Sequence, residues 1–194
     1  MPAKKSHAML LGSVLLFGSS ALMAAPSASM LANTCAGCHG TNGASVGPSS
    51  PTIAGKSAEY IKEVMASYKS GDRHSTIMHR IAKGYTDEEI ALMADHFAAL
   101  PFESAAERQE LDAAKIEAGS KLYKKNCSKC HDEYGSLPDD DSGILAGQWL
   151  PYMQYTMTDF RGGRSVMPKK MKKKVEKLDD AQIEALLQFF ASQK

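Results

Sequence analysis

Four cysteines stand in this 194-residue chain, and two five-residue motifs use all of them: Cys35-Ala36-Gly37-Cys38-His39 and Cys127-Ser128-Lys129-Cys130-His131. Two thiols three positions apart, followed at once by an imidazole, form the attachment signature of c-type haem. Each thiol can add to one vinyl group of the porphyrin, and the histidine is then held beneath the iron as proximal ligand. A lone copy also suits a redox dithiol or half of a tetrahedral zinc site. Two copies, each closed by histidine, favour haem. The reading is two covalently bound haem c, anchored through Cys35, Cys38, Cys127 and Cys130, with His39 and His131 on the irons.

The opposite axial position needs a second donor, and the chain offers eleven methionines. Met65, Met93, Met153 and Met157 fall on helical apolar stripes and read as core. Met78 and Met171 differ: they lie in basic loops punctuated by Pro and Gly, 39 and 40 residues after their histidines. A thioether favours ferrous iron, so a His/Met pair raises the reduction potential and closes the coordination sphere. Such a centre moves electrons and does not bind peroxide or oxygen, which disfavours a dihaem peroxidase. His74, His79 and His96 are rivals without counterparts in the other half of the chain, and Met167, before Pro168, competes with Met171.

The elements that must carry these groups occur twice. A shift of 92 residues lays Cys35 on Cys127, His39 on His131, Gly43 on Gly135, Gly55 on Gly147, Tyr60 on Tyr152 and Gly71 on Gly163. After one inserted residue the shift is 93, and Met78 lies on Met171, Ile90 on Ile183 and Phe97 on Phe190. A register held over both halves marks a duplicated domain. Each copy reads as all-α: a helix entering the haem motif, a Gly/Ser/Pro loop, a core helix and a last helix. The core helix, about Ser57 to Ser70, carries Tyr60, Ile61, Val64, Met65 and Tyr68 on one face. Thr86-Asp87-Glu88-Glu89 and Asp179-Asp180-Ala181-Gln182 read as capping signals that open the last helices.

Residues 1–25 read as an export leader, with Lys4 and Lys5 ahead of an apolar run and Ala24-Ala25 at the cleavage site. The run of about 15 residues is short of the roughly 20 that span a bilayer. The expected organisation is 1–25 leader, 26–101 first domain, 102–111 linker and 112–194 second domain, in the periplasm, with no membrane insertion of the mature chain. Charge is uneven: residues 26–110 hold seven Lys and Arg against ten Asp and Glu, and residues 111–194 hold fourteen against twelve. Arg161 to Lys177 holds eight basic residues opposed only by Glu176. Such a run is either a solvated face or a guide for an acidic partner. Nucleic acid fits poorly with export and with the run Asp139-Asp140-Asp141.

The segment Asn33 to Gly84, with NTCAGCHGTNGASVGP and STIMHRIAKGY, resembles the dihaem cytochrome subunit of flavocytochrome c sulfide dehydrogenase, as do ILAGQWLPYMQY at Ile144 to Tyr155 and KKM at Lys169 to Met171. The resemblance implies two tandem class I cytochrome c-like domains and a flavoprotein partner that oxidises sulfide. It further implies electron flow from flavin to the nearer haem, then to the second and on to an acceptor cytochrome or oxidase. The proximal ligands carry over onto His39 and His131 and the first distal ligand onto Met78. The Lys-rich loop after Met171 departs from the family pattern. A second reading is a free-standing dihaem cytochrome shuttling electrons to a terminal oxidase.

Overall fold

The computed structural model describes residues 25–194, and every regular element among them is a helix. The leader expected over residues 1–25 lies, up to residue 24, outside the described residues. The first unit runs α1 (Ala28–Asn33), α2 (Ala36–His39), α3 (Ala58–Ser70), α4 (Met78–Ala82) and α5 (Asp87–Ala98). The second runs α6 (Ala113–Asn126), α7 (Leu150–Arg161), α8 (Lys169–Val175) and α9 (Asp180–Ser192). Among the described residues no helix is long and apolar enough to cross a membrane.

Local chemistry sets the helix ends. Thr86 and Asp179 both close full capping boxes, with Glu89 and Gln182 reaching back to the cap backbone, so two orphan N–H groups are satisfied at each start. Ser57 accepts from the Tyr60 amide to open α3, and Gly71, at φ 91°, ends it in the left-handed conformation that a side chain would resist.

Each core forms where the first and last helices of a unit cross. Leu31 and Ala32 of α1 meet Ile90, Met93 and Phe97 of α5. In the second unit Tyr123 of α6 packs with Ile183, Leu186, Phe189 and Phe190 of α9. This crossing depends on Gly119, where a Cβ would stand 2.1 Å from the Ala185 carbonyl oxygen and 2.7 Å from Phe189 Cβ. The haem-motif loops are also duplicated. Gly43 O accepts from the Ile53 and Ala54 amides, and Gly135 O from those of Leu145 and Ala146. Gly55 N donates to Phe97 O at 2.9 Å, and Gly147 N to Phe190 O at 2.8 Å. Those bonds tie each loop to the last helix of its own unit.

The two units meet through a reciprocal pair. Lys56 Nζ donates to Ile144 O at 2.8 Å, and Gln148 Nε2 donates to Thr52 O at 2.8 Å. Under the 92-residue shift Lys56 corresponds to Gln148 and Thr52 to Ile144, so each unit makes the same contact to the other. That is the signature of a pseudo-twofold axis. Trp149 Nε1 adds a bond to Ser45 O, and Gly47 is required beneath the indole, where a Cβ would come within 2.3 Å of the ring.

Two expectations need adjustment. Met78 and Met171 lie on short helices, not in loops, because MHRIA and KKMKKKV are runs of helix-compatible residues between turn signals. Residues 102–111 form a packed strap instead of a plain polar tether. Ala105 is fully buried and donates to Gly147 O at 2.7 Å, while Gln109 accepts from Leu150 N and donates to Gln148 O.

Candidate functional site

The two haem motifs adopt the same tight turn. His39 N donates to Cys35 O at 2.9 Å and Cys38 N to Cys35 O at 3.2 Å. In the second copy, the His131 and Cys130 amides both reach Cys127 O at 3.0 Å. None of the four cysteines is paired in a disulfide. Cys38 and Cys130 are exposed, while Cys35 and Cys127 are half-buried against the cores. Burial raises both inner thiols and pushes Cys127 up to about 11, against a smaller downward pull from Lys174.

Both imidazoles are held in the neutral form that an iron requires, because burial lowers His39 and His131 below the usual histidine value. The two differ on the side away from the metal. His39 Nδ1 lies 2.8 Å from Pro51 O, a bond that fixes the ring and directs Nε2 outward. His131 Nδ1 is buried and has no hydrogen-bond partner among the described residues. Position 143, the counterpart of Pro51, is Gly143 at φ 60°, with its ring neighbour Tyr60 2.8 Å from where a Cβ would be. The second motif is held instead through Tyr123, whose hydroxyl donates to His131 O at 2.7 Å and accepts from Tyr134 N at 2.9 Å.

The surroundings fit a porphyrin. None of the apolar stripe of α3 is fully buried by protein, although Ile61 and Met65 pack on the core edge. In α7 only Leu150 and Met153 are buried, and Tyr152 and Met157 remain partly open. Helices so patterned need a flat apolar body against them, and two thiols, an imidazole and a thioether per unit match the donors of a c-type haem. Among the described residues no three His, Cys, Asp or Glu side chains converge as a metal site.

Met78 and Met171 take equivalent places in the chain. Each stands eight residues before the N-cap of the last helix, Thr86 or Asp179, and four before a buried residue, Ala82 or Val175. Met167 lies outside α8, half-buried against the second core. His79 is tied to its own turn, Nδ1 lying 3.0 Å from Ser75 O. His74 faces Asp159 Oδ2 at 3.2 Å, and His96 stacks edge-on to Phe97. In α8 the side chains of Lys169, Lys170, Lys172, Lys173 and Lys174 are all exposed. Lys174 is near enough to Cys127 to influence its thiol, so this charge borders the second motif.

Sequence reading missed the polar cluster at the seam, where Lys56, Tyr60, Arg73 and Tyr152 come together. The register pairs Tyr60 with Tyr152 and Lys56 with Gln148, and that signal marked positions near the pseudo-twofold axis.

A family pattern described as "Cytochrome c" matches residues 24–100, and one described as "Cytochrome C oxidase, cbb3-type, subunit III" matches residues 114–190. The cytochrome subunit of sulfide dehydrogenase from Chlorobaculum tepidum is 53% identical over 68 residues, which cover 35% of this chain and 61% of that protein, short of two thirds of its length. Cytochrome c4 from Thiocapsa roseopersicina is 30% identical over 167 residues, covering 80% of this chain and 84% of that one. The thiosulfate dehydrogenase electron acceptor of Stutzerimonas stutzeri is 27% identical over 172 residues, 83% of this chain and 79% of its own. The crystal structure of reduced cytochrome c4 from Pseudomonas stutzeri superposes with a TM-score of 0.74 over 88% of this chain and all of that one. At 24% identity that likeness speaks to the fold alone.

Proposed function

Since this chain belongs to the cytochrome c family as a tandem, two-haem member, we propose that it is the electron-transfer subunit of a sulfide-oxidising flavocytochrome. It carries two covalently bound haem c and works in electron transfer. The observation that supports the finer reading is the 53% identity to a sulfide dehydrogenase cytochrome subunit over 68 residues, 35% of this chain.

In this reading Cys35, Cys38, Cys127 and Cys130 form the thioether anchors, His39 and His131 bind on the proximal side, and Met78 and Met171 close the distal side. A bound haem supplies a one-electron ferric/ferrous couple. In each unit two thioether anchors, an imidazole and a methionine would hold the group in place, so that reduction would need little rearrangement. The two-electron oxidation of sulfide must therefore occur on a separate flavin. The exported chain, with domains at 26–101 and 112–194, meets its flavoprotein in the periplasm through the acidic first unit. The lysines of α8 present the second unit to an acidic acceptor, a cytochrome or an oxidase.

A second reading, a free-standing shuttle, has its own support in the match to cytochrome c4 over most of both chains. Mixing the purified cytochrome with sulfide, alone and then with its flavoprotein, separates the two. Rapid haem reduction only when the flavoprotein is present is the expected result. Reduction by sulfide alone, or none with the flavoprotein added, would overturn the subunit reading.

A further inference from the structure

Two cations at the seam between the units have no carboxylate partner among the described residues. Lys56 is only 5% exposed, yet its Nζ donates to a single protein acceptor, Ile144 O, and otherwise stands 5.1 Å from the Tyr60 ring centroid. An ammonium has three donors, and one carbonyl beside an aromatic face does not balance a buried charge. Arg73 lies close by, its guanidinium 5.6 Å from the Tyr68 ring and 6.0 Å from the Phe160 ring, with Nη2 on the Tyr152 hydroxyl at 3.3 Å. Neither cation is in an ion pair among the described residues. Asp159, on α7, is already engaged by Arg164 at 2.6 Å and His74 at 3.2 Å.

The repeat shows that the cationic character serves something other than the hydrogen bond. Gln148, the counterpart of Lys56, makes the same 2.8 Å contact to the opposite unit without a charge. Ser165, the counterpart of Arg73 on the same shift, accepts from His74 N and is neutral too. Burial and the neighbouring guanidinium pull the Lys56 ammonium down to about 7, and an anion facing it would favour the charged form. The chain brings its own anions, since each haem c carries two propionate carboxylates. Lys56 and Arg73 stand just before and just after α3 and face its Tyr60 and Tyr68 rings, on the helix whose apolar stripe the protein leaves incompletely covered.

We infer that Lys56 and Arg73 form an anion site at the seam that binds haem propionate carboxylates, neutralising them where the two units meet. The guanidinium fork and the ammonium complete their unmet donors on these oxygens. Loss of a cation leaves negative charge near the iron, which favours the ferric state and lowers the midpoint potential.

Spectroelectrochemical titration of the intact dihaem protein, with redox-difference infrared spectra of the carboxylate bands, tests the site. Lys56→Gln and Arg73→Gln should each lower the midpoint of at least one haem and shift the propionate bands, while Lys56→Arg should leave both near wild type. If Lys56→Gln gives no folded haem protein, Arg73→Gln carries the same expectation. Unchanged midpoints and bands would overturn the site. So would a Lys56→Arg protein that behaves like Lys56→Gln, since that marks a packing role. Wild-type midpoints that move on adding inorganic phosphate, with the propionate bands unmoved, would assign the site to a free anion and overturn the inference.

Discussion

The proximal histidines should give the two haems unequal potentials. His39 donates through Nδ1 to Pro51 O at 2.8 Å, whereas His131 Nδ1 is buried without a partner among the described residues. An imidazole whose N–H is hydrogen-bonded is the more basic ligand and favours ferric iron, so the first haem should have the lower potential and the second the higher. Pro51→Gly gives the first unit the residue found at position 143 and frees the carbonyl that holds His39. The net worth of one hydrogen bond, about 0.5–1.5 kcal/mol, corresponds to about 20–60 mV for a one-electron couple, and the first haem should rise by an amount on that scale. Potentiometric titration followed in the visible bands of the two haems reads it, and nitrogen-15 NMR of the His39 ring checks that the bond has been lost. A Pro51→Gly protein with its bond lost and its potential unmoved or lowered would refute the reasoning. The wild-type order matters for function, because electrons then run downhill from the first unit to the second.

Gly119→Ala should destabilise the second unit by about 1–3 kcal/mol, since the new methyl group meets Ala185 O and Phe189 Cβ inside contact distance; thermal melting of the holoprotein reads the loss. Glu184, on α9, joins Gln154 of α7 and Lys115 of α6; burial raises its carboxyl, but hydrogen bonds from Gln188 and Gln154 with the Lys115 charge bring it below the usual value. A lowered folded pKa gives stability that is full above the unfolded pKa and lost as pH falls through the folded one. The stability advantage of wild type over Glu184→Gln should therefore shrink on acidification, and an advantage that stays constant with pH would contradict the assignment. Reversing Lys169, Lys170 and Lys173 to Glu should slow electron transfer to an acidic acceptor by about tenfold or more at low salt, a difference that added salt erases. Stopped-flow kinetics across a salt series checks it.

Much of the fold was legible because haem attachment and helix capping are written in local residue types. The capping boxes at Thr86 and Asp179 formed as read, and so did the α3 helix between Ser57 and Gly71. Met93 and Met153 are buried as their helical spacing implied. What escaped was long-range: Ala105 and Gln109 look like ordinary linker residues until the second unit packs on them. The short helices around Met78 and Met171 are too brief for periodicity to separate them from loops. The absence of a partner on His131 turns on which residue replaces Pro51 ninety-two positions later, a comparison visible only once the structure shows what Pro51 does. Lys56 and Arg73 appeared as two ordinary basic residues for the same reason.

Closure of both irons by methionine, which would leave them only to accept and pass on electrons, is tested most directly by the sulfur-to-iron charge-transfer absorption of the oxidised protein in three variants. Met78→Ala and Met171→Ala should each remove about half of that band while Met167→Ala leaves it whole, as expected where one thioether binds each of two haems. Loss of half the band in Met167→Ala, or a full band in Met78→Ala or Met171→Ala, would contradict the account.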